Sequence, residues 1–418
     1  MPARKTVTQK EKKPIATRKQ MSLSFSDLPD EHKRYVAALT KAKKSLKTQW
    51  RGMMAVPPAS ILESILGEFK LKTNIPLEVP FFTFMHYLSA HLVQRGVHLK
   101  IRNMEISMEF WTIILASSGA GKTYTHKTIK GSLGADIPEV NGSAAVSSRQ
   151  FIEELESAGG KGLWQRDEFL QFLKAIESGG PLAEMKDYLL RIYDNDRIER
   201  KTKDYQMVVE RPELSILGFN ALQTFIDGID PESLLDGFAQ RFGYVLAKDD
   251  PDRKFEDFAL WDVEGAEWPA MWQQLSSTIL PSYTTDEDGI NAFKNSFKAL
   301  TNADIPESFY RRILWKAHKY AVIYHIIRGE GKQSKITPED YGWAARILHL
   351  HLADTAEILS KTNFGDLEKL LQSCENAVVK LKESGQKVTP RTLMQRVKGI
   401  NNAPTAKFIF DFMKLSEM

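Results

Sequence analysis

Cysteine is nearly missing from this chain of 418 residues, which contains a single one, Cys374. One thiol cannot form an internal disulfide, and no Cys/His cluster could supply the four ligands of a structural zinc site. The sequence therefore excludes a disulfide-stapled secreted domain and a zinc module. A reducing compartment such as the cytoplasm fits this composition.

Long apolar runs are missing as well. The two most apolar stretches, 80–92 and 111–116, are interrupted or much shorter than the ~20 residues that a bilayer-spanning helix requires. The amino terminus is basic and has no apolar block of the kind found in a secretory signal, so we expect it to be retained. We expect no membrane partner.

A strong excess of one charge sign is also missing, because 57 Lys and Arg residues face 53 Asp and Glu residues, a net charge of +4. This balance does not by itself indicate a nucleic-acid-binding protein. The exception is the basic segment 1–26, which has little to bury and is predicted to be a disordered tail. It either keeps the chain soluble or binds phosphate backbones or a partner.

What the sequence does contain is a globular composition, with 42% hydrophobic and 26% charged residues. The chain is longer than one hydrophobic core usually serves, so we expect several domains. Helical periodicity predicts a helical domain at 27–100, and β-prone runs predict an α/β core with a parallel sheet at 101–250. Amphipathic stretches predict a helical region at 251–362 and a small module at 363–418.

A glycine-containing loop follows the β-prone segment 109–116, and a helix is predicted to follow the loop. The loop reads Ala116-Ser117-Ser118-Gly119-Ala120-Gly121-Lys122-Thr123. This pattern is typical of a phosphate-binding loop: glycines let backbone amides turn inward, a lysine reaches the outer phosphates, and a hydroxyl binds magnesium. The predicted cofactors are therefore ATP and Mg²⁺, with Thr123 as a metal ligand. The residues expected to hold the nucleotide are Ser118, Gly119, Ala120, Gly121, Lys122, Thr123 and Tyr124.

Polar residues end two further apolar runs, which are predicted to be neighbouring parallel strands. Asp167 and Glu168 follow the first run, and Asn220 ends the second. Asp167 is predicted to support the magnesium ion, Glu168 to activate the attacking water, and Asn220 to orient that water. The alternatives are a solvated acidic helix start for the acids and a turn-forming residue for Asn220.

Arg241 lies in the segment 237–242, after the predicted core strands. It is a candidate arginine finger that completes a neighbouring subunit's nucleotide site, because the transition state of phosphoryl transfer needs an additional cation. An ordinary ion pair is the alternative. Arg312 is a candidate second nucleotide-sensing residue, as is Arg311, with exposed helix charge as the alternative for at least one of them.

A hairpin is predicted at 197–210, where a charged turn separates two short β-prone runs. Its cations Arg200, Lys201 and Lys203 are candidates for holding the phosphates of a single nucleic-acid strand. A solvated hairpin tip is the alternative.

The order of these signals, from the loop through the acidic pair and Asn220 to Arg241, resembles the AAA+-like and superfamily 3 helicase-like ATPases of phages, plasmids and other mobile elements. The likeness covers 57–360, and its most specific part is the loop. It implies a P-loop NTPase core and a hexameric ring that acts on single-stranded DNA in the host cytoplasm. Similar proteins are found fused to or beside primases, which makes a primase or an initiator a further candidate partner.

The terminal module 363–418 resembles a small winged-helix domain. Its segment 387–398 resembles a recognition helix, in which Arg391, Arg396 and Lys398 are candidate phosphate contacts. A structural helical cap is the alternative.

The function expected from these signals is that of an ATP-dependent replicative DNA helicase or translocase. The alternative is a non-translocating AAA+ switch or loader that binds a helicase, an initiator or origin DNA. A third interpretation is a kinase or small nucleotidase that acts on a soluble substrate.

Overall fold

The computed structural model describes most of the chain beyond the amino-terminal segment. It covers residues 52–133, 139–140, 147–177, 180–201, 206–229, 237–248, 261–300, 305–361, 364–398 and isolated residues between 400 and 410. The predicted basic tail, residues 27–51 of the predicted helical domain and Lys203 lie outside the described residues.

The helices are α1 (Ile61–Lys72), α2 (Glu78–Gln94), α3 (Lys122–Leu133), α4 (Ser148–Ser157), α5 (Phe169–Glu177), α6 (Met185–Tyr193), α7 (Leu222–Gly228), α8 (Trp268–Thr278), α9 (Glu287–Leu300), α10 (Glu307–Trp315), α11 (Ala317–Ile327), α12 (Pro338–Lys361), α13 (Phe364–Glu383) and α14 (Pro390–Arg396). The strands are β1 (His98–Ile101), β2 (Met104–Ser107), β3 (Trp111–Leu115), β4 (Lys161–Arg166), β5 (Ile198–Lys201), β6 (Gln206–Val209), β7 (Glu213–Asn220), β8 (Gly243–Leu246), β9 (Ser282–Thr285) and β10 (Lys335–Ile336). Short 3₁₀ turns occupy Met53–Ala55, Gly180–Leu182 and Ala239–Arg241.

A parallel sheet with the strand order β4-β7-β3-β8 forms the centre of the fold. At its carboxyl edge, Leu115 of β3 pairs with Asn220 of β7 on one side and with Leu246 of β8 on the other. Every residue of β3 and β7 is buried, as expected for parallel strands covered by helices on both faces. The structure therefore confirms the predicted α/β class with a parallel sheet.

A second sheet, with the order β10-β9-β1-β2, was not predicted from the sequence. β1 and β2 form an antiparallel hairpin, while β9 pairs in parallel with both β1 and β10. These strands have two to four residues each, which is too short for an alternating pattern to stand out. Their pairing joins segments that are far apart in the sequence.

One hydrophobic core runs from Ala55 to Leu359 and includes both sheets. It continues across the predicted domain boundaries near residues 100 and 250. The apolar stretch 80–92 lies within α2, which is buried along nearly all of its length. None of the helices in the described ranges combines the length and apolar character that crossing a membrane requires.

The terminal module has its own small core around Cys374 and Leu393. Within segment 387–398, α14 begins with a capping box formed by Thr389 and Thr392. No strand occurs among the described residues of this module, so the winged-helix interpretation stays a prediction.

A buried histidine connects α11 to α12. The Nδ1 of His325 lies 2.9 Å from Asp340 Oδ2, and its Nε2 lies 2.9 Å from the Gln333 carbonyl oxygen. Arg328 donates a 2.7 Å hydrogen bond to the other Asp340 oxygen. Because both ring nitrogens face acceptors, the doubly protonated imidazolium satisfies this site best.

Burial on its own lowers the pKa of His325, but the hydrogen bond and charge of Asp340 outweigh it, so the pKa is raised above its ordinary value. A raised pKa in the folded state stabilises the protein below the unfolded-state pKa of about 6.5, and this stabilisation is lost as the pH rises through the folded-state value.

We therefore expect His325→Gln to cost most stability near pH 6, by about 1–3 kcal/mol, and less as the pH approaches 9. Urea unfolding of both proteins across this pH range measures the difference. His98→Gln, which changes a partly exposed histidine of β1, is the control. A difference between wild type and His325→Gln that does not change with pH would contradict the imidazolium assignment.

Candidate nucleotide-binding site

The predicted phosphate loop lies at the carboxyl edge of the parallel sheet. Its first residue is fixed there, because the Ala116 amide donates a 3.0 Å hydrogen bond to the Asn220 carbonyl oxygen. Gly119 and Gly121 adopt left-handed backbone angles, with φ of 81° and 68°, which residues with a Cβ rarely adopt. The loop ends where α3 begins, at Lys122. A loop of this kind before a helix amino terminus presents backbone amides to an anion.

Lys122 and Asp167 meet at this edge. Lys122 Nζ donates a 2.8 Å hydrogen bond to Asp167 Oδ1, and the Lys122 side chain is only 15% exposed, against 54% for Asp167. The two residues follow β3 and β4, which are separated in the sheet by β7. The contact therefore reaches across the end of β7, and it brings the predicted phosphate-binding cation next to the predicted metal-supporting acid.

Glu168 has an unusual backbone conformation, with φ of 50°. For a residue with a long side chain this left-handed angle is strained. Its exposed carboxylate accepts a hydrogen bond from the Gln171 side chain, and its carbonyl oxygen accepts one from the Gln171 amide. The predicted water-activating acid thus lies directly beside Asp167, in a strained turn that opens α5.

Asn220 ties the two central strands to this acidic turn. Its Oδ1 accepts a 3.1 Å hydrogen bond from the Leu170 amide, in the first turn of α5. Its Nδ2 donates a 3.0 Å hydrogen bond to the Ala221 carbonyl oxygen. In this structure the buried Asn220 side chain therefore positions the acidic turn. Its predicted contact with the attacking water stays a prediction.

The strand before the acidic pair keeps its form through two polar residues. β4 includes Gln165 and Arg166 and pairs with β7 over its whole length. The Arg166 guanidinium lies 5.0 Å from the centre of the Phe172 ring in α5, which is a cation–π contact. Burial lowers the pKa of Arg166. Packing on α5 accounts for an arginine inside this strand.

Arg241 lies at the opposite edge of the sheet from the loop. The turn that contains it leads into β8, whose Gly243 pairs with Thr112 near the start of β3. The five residues of β3 place the two edges ~16 Å apart. Arg241 cannot assist the loop of its own chain across that distance, so the predicted finger role requires a neighbouring copy.

The Arg241 guanidinium is held by three groups. It donates a 2.9 Å hydrogen bond to the Gly237 carbonyl oxygen, lies 3.2 Å from Asp194 Oδ2, and covers the Tyr193 ring at 5.0 Å. The Arg312 guanidinium bonds the Gln240 side chain, in the turn that contains Arg241. Burial, and then the charge of Arg241, lower the pKa of Arg312.

Arg311 and Arg312 therefore have different surroundings. Arg311 is exposed and pairs with Glu307 one turn earlier in α10, which fits the alternative of exposed helix charge. Arg312 is only partly exposed and joins Arg241 at the amino edge of the sheet. It lies at the opposite edge from the loop of its own chain.

The hairpin predicted at 197–210 is confirmed as β5 and β6, which pair antiparallel from Ile198–Val209 to Lys201–Gln206. Lys201 is exposed at the free end. Arg200 is instead paired with Glu184 at 2.8 Å. The hairpin thus presents Lys201, while Lys203 lies outside the described residues.

Two residues beside the loop were not predicted from the sequence. Ile75 and Trp261 both approach Gly121 so closely that a Cβ placed there would lie 2.3 Å from Ile75 Cδ1 and 3.0 Å from Trp261 Cη2. They come from segments on either side of the α/β core, and neither segment carries a motif. Only the folded structure places them next to Lys122 and Tyr124.

A metal ion at this edge would have few protein ligands. The described residues contain no cluster of three His, Cys, Asp or Glu side chains suited to an ion. Magnesium in phosphoryl-transfer sites is usually held by one or two carboxylates together with substrate phosphates and water. The exposed Thr123 and the Asp167 carboxylate beside Lys122 fit an ion that binds together with a nucleotide.

Comparison with known proteins adds no assignment to this geometry. No protein-family model matches the chain, and no curated protein matches it significantly. The arrangement of Lys122, Asp167, Glu168 and Asn220 is therefore the basis for the functional interpretation.

Proposed function

We propose that this chain is an ATPase with a P-loop NTPase core of the AAA+ type, and that it works on single-stranded DNA as a ring. The observation that supports this most is the meeting of Lys122 and Asp167 at the edge of the parallel sheet where the glycine loop ends. A lysine from the loop and an acid from another strand, both at a helix amino terminus, are the groups that phosphoryl transfer requires.

The residues at this edge have separate roles. Lys122 exchanges its bond to Asp167 for bonds to the outer phosphates, while the loop amides hold the phosphate chain. Thr123, and Asp167 through water, would hold a magnesium ion, which would supply positive charge to neutralise the phosphates. Glu168 accepts the proton of the attacking water, and Asn220 keeps the acidic turn in place beside the loop.

The first test replaces Lys122 of the loop. We expect Lys122→Ala to weaken binding of ATP with magnesium about 10- to 100-fold, because charge-assisted hydrogen bonds to phosphate are lost. Isothermal titration calorimetry measures the affinity. Lys127→Ala removes an exposed lysine from the same helix and serves as the matched control. Equal affinity of the two variants would rule out the loop as the nucleotide site.

A ring explains the position of Arg241. In a head-to-tail ring, the amino edge of one sheet meets the carboxyl edge of the next, which places Arg241 at a neighbour's terminal phosphate. The contact with Asp194 holds the guanidinium while no phosphate is present. A hexamer is the assembly that we propose.

Mixing two inactive variants tests this arrangement. We expect Arg241→Ala to keep nucleotide binding and lose about 10³-fold in turnover. Mixing it with Lys122→Ala then restores part of the ATPase rate, because some interfaces pair an intact loop with an intact Arg241. A mixture as inactive as its two components would contradict a finger that acts between subunits.

The hairpin supports a contact with a nucleic-acid strand. It lies in the chain between α6 and β7, packs against α4 and α6, and carries the exposed Lys201 at the end of β5. Exposed cations on a hairpin can follow a phosphate backbone without reading its sequence. A primase or an initiator remains a proposed additional partner.

Substitution of the hairpin lysines distinguishes a translocase from a switch. For the double variant Lys201→Ala and Lys203→Ala, we expect the stimulation of ATPase turnover by single-stranded DNA to fall about tenfold. Lys294→Ala with Lys332→Ala removes the same charge from exposed positions elsewhere and should leave the stimulation unchanged. Full stimulation in the hairpin variant would favour a loader or switch, and no stimulation of the wild type would favour a small-substrate nucleotidase.

A further inference from the structure

An apolar wall lies against the outside of the phosphate loop. It consists of Ile75, Tyr124 and Trp261. Ile75 and Trp261 lie so close to the Gly121 backbone that a Cβ at this position would be 2.3 Å from Ile75 Cδ1 and 3.0 Å from Trp261 Cη2. Tyr124 is two residues beyond Lys122 in α3. The wall therefore begins directly beside the residues that we propose to hold the phosphates.

Tyr124 fixes the backbone of the Trp261 segment. Its hydroxyl donates a 3.0 Å hydrogen bond to the Trp261 carbonyl oxygen and accepts a 3.0 Å hydrogen bond from the Val263 amide. The two rings meet edge to face, with centroids 5.2 Å apart. Tyr124 thus holds the Trp261 side chain, which comes from a distant segment, next to the glycine loop.

The wall is anchored on the helices around it. The Phe69 ring, in α1, meets the Tyr124 ring at 6.4 Å. The hydroxyl of Thr73 accepts a hydrogen bond from the Ile75 amide at 3.2 Å and donates one to the Phe69 carbonyl oxygen at 2.7 Å. The position of Ile75 therefore depends on the carboxyl end of α1.

The Trp261 ring itself is held differently from its neighbours. The nearby Trp268 indole donates a hydrogen bond to Ser64 at 3.2 Å. The Trp261 indole nitrogen is buried, and no hydrogen-bond acceptor for it occurs among the described residues. The ring is partly exposed and is held by packing on Tyr124, so turning it toward a ligand breaks no hydrogen bond of the indole.

We propose that Trp261, together with Ile75 and Tyr124, is the subsite for the nucleobase of the nucleotide bound at the loop. This inference rests on the proposed ATPase function. In the proposed function, the loop amides and Lys122 bind the phosphate groups. The base then contacts a nearby surface, and the apolar wall is such a surface. Bases stack on aromatic side chains, and one such contact commonly changes affinity about tenfold or more.

The chemistry of the wall also indicates how selective it is. Ile75 offers only an apolar side chain, and the Tyr124 hydroxyl is already bonded to the backbone of the Trp261 segment. Beyond the single N–H donor of the Trp261 indole, the wall therefore offers a flat ring only stacking and shape. Every base has such a face, so we expect ATP and GTP to bind with affinities within about threefold of each other.

The experiment compares ATP, GTP and inorganic tripolyphosphate, each with magnesium, by isothermal titration calorimetry on the full chain. Wild type is expected to bind ATP about tenfold or more tightly than tripolyphosphate. Trp261→Ala should lose this advantage and bind tripolyphosphate as wild type does. Trp261→Phe, which keeps a stacking face, should restore most of it. Trp315→Ala, at an exposed tryptophan of α10, is the matched control.

Three outcomes decide between the possibilities. An unchanged ratio of ATP to tripolyphosphate affinity in Trp261→Ala overturns the inference and leaves Trp261 as a packing residue. Failure of the wild type to bind either ligand removes the proposed function itself. If Trp261→Ala does not fold, Trp261→Phe provides the test. The change in tryptophan fluorescence on adding ATP should be smaller in Trp261→Phe than in wild type. A fluorescence change equal to that of wild type overturns the inference.

Discussion

The candidate site depends on one contact, the ion pair that Lys122 and Asp167 form across the end of β7. The two residues follow strands that are not neighbours, so they meet only if all three strands end at the same level. Asn220 enforces this, because its backbone accepts from the residue after β3 and its side chain accepts from the first turn of α5. One buried asparagine thus aligns the loop with the acids, and the proposed chemistry depends on that alignment.

The two edges of the sheet divide the remaining groups. The carboxyl edge of the sheet has the glycine loop, the acids and the apolar wall. The amino edge has Arg241, Arg312 and the end of the hairpin where Ile198 pairs with Val209. In the proposed function, a single chain therefore binds the nucleotide with one edge and offers cations with the other. Stacking copies head to tail unites the two sets, which is the physical reason for proposing a ring.

The features that could be predicted from the sequence are those with contiguous signals. The glycine loop, the strand ends at Asp167 and Asn220, and the hairpin all depend on residues close together in the chain. The second sheet could not be predicted, because its short strands are specified by partners as distant as His98 and Ser282. Trp261 and Ile75 were missed for the same reason. The position of Arg241 at the far edge depends on the direction of β8, which becomes visible only once its pairing with β3 is known.

The left-handed backbone at Glu168 has an evolutionary consequence. A glycine at this position would relieve the strain, about 1–2 kcal/mol for a residue with a side chain, and the fold would gain from the exchange. Selection for a sturdier protein alone would thus tend to erase this carboxylate. Stability therefore gives no reason to keep a glutamate at this position, whereas the proposed activation of water by its carboxylate does.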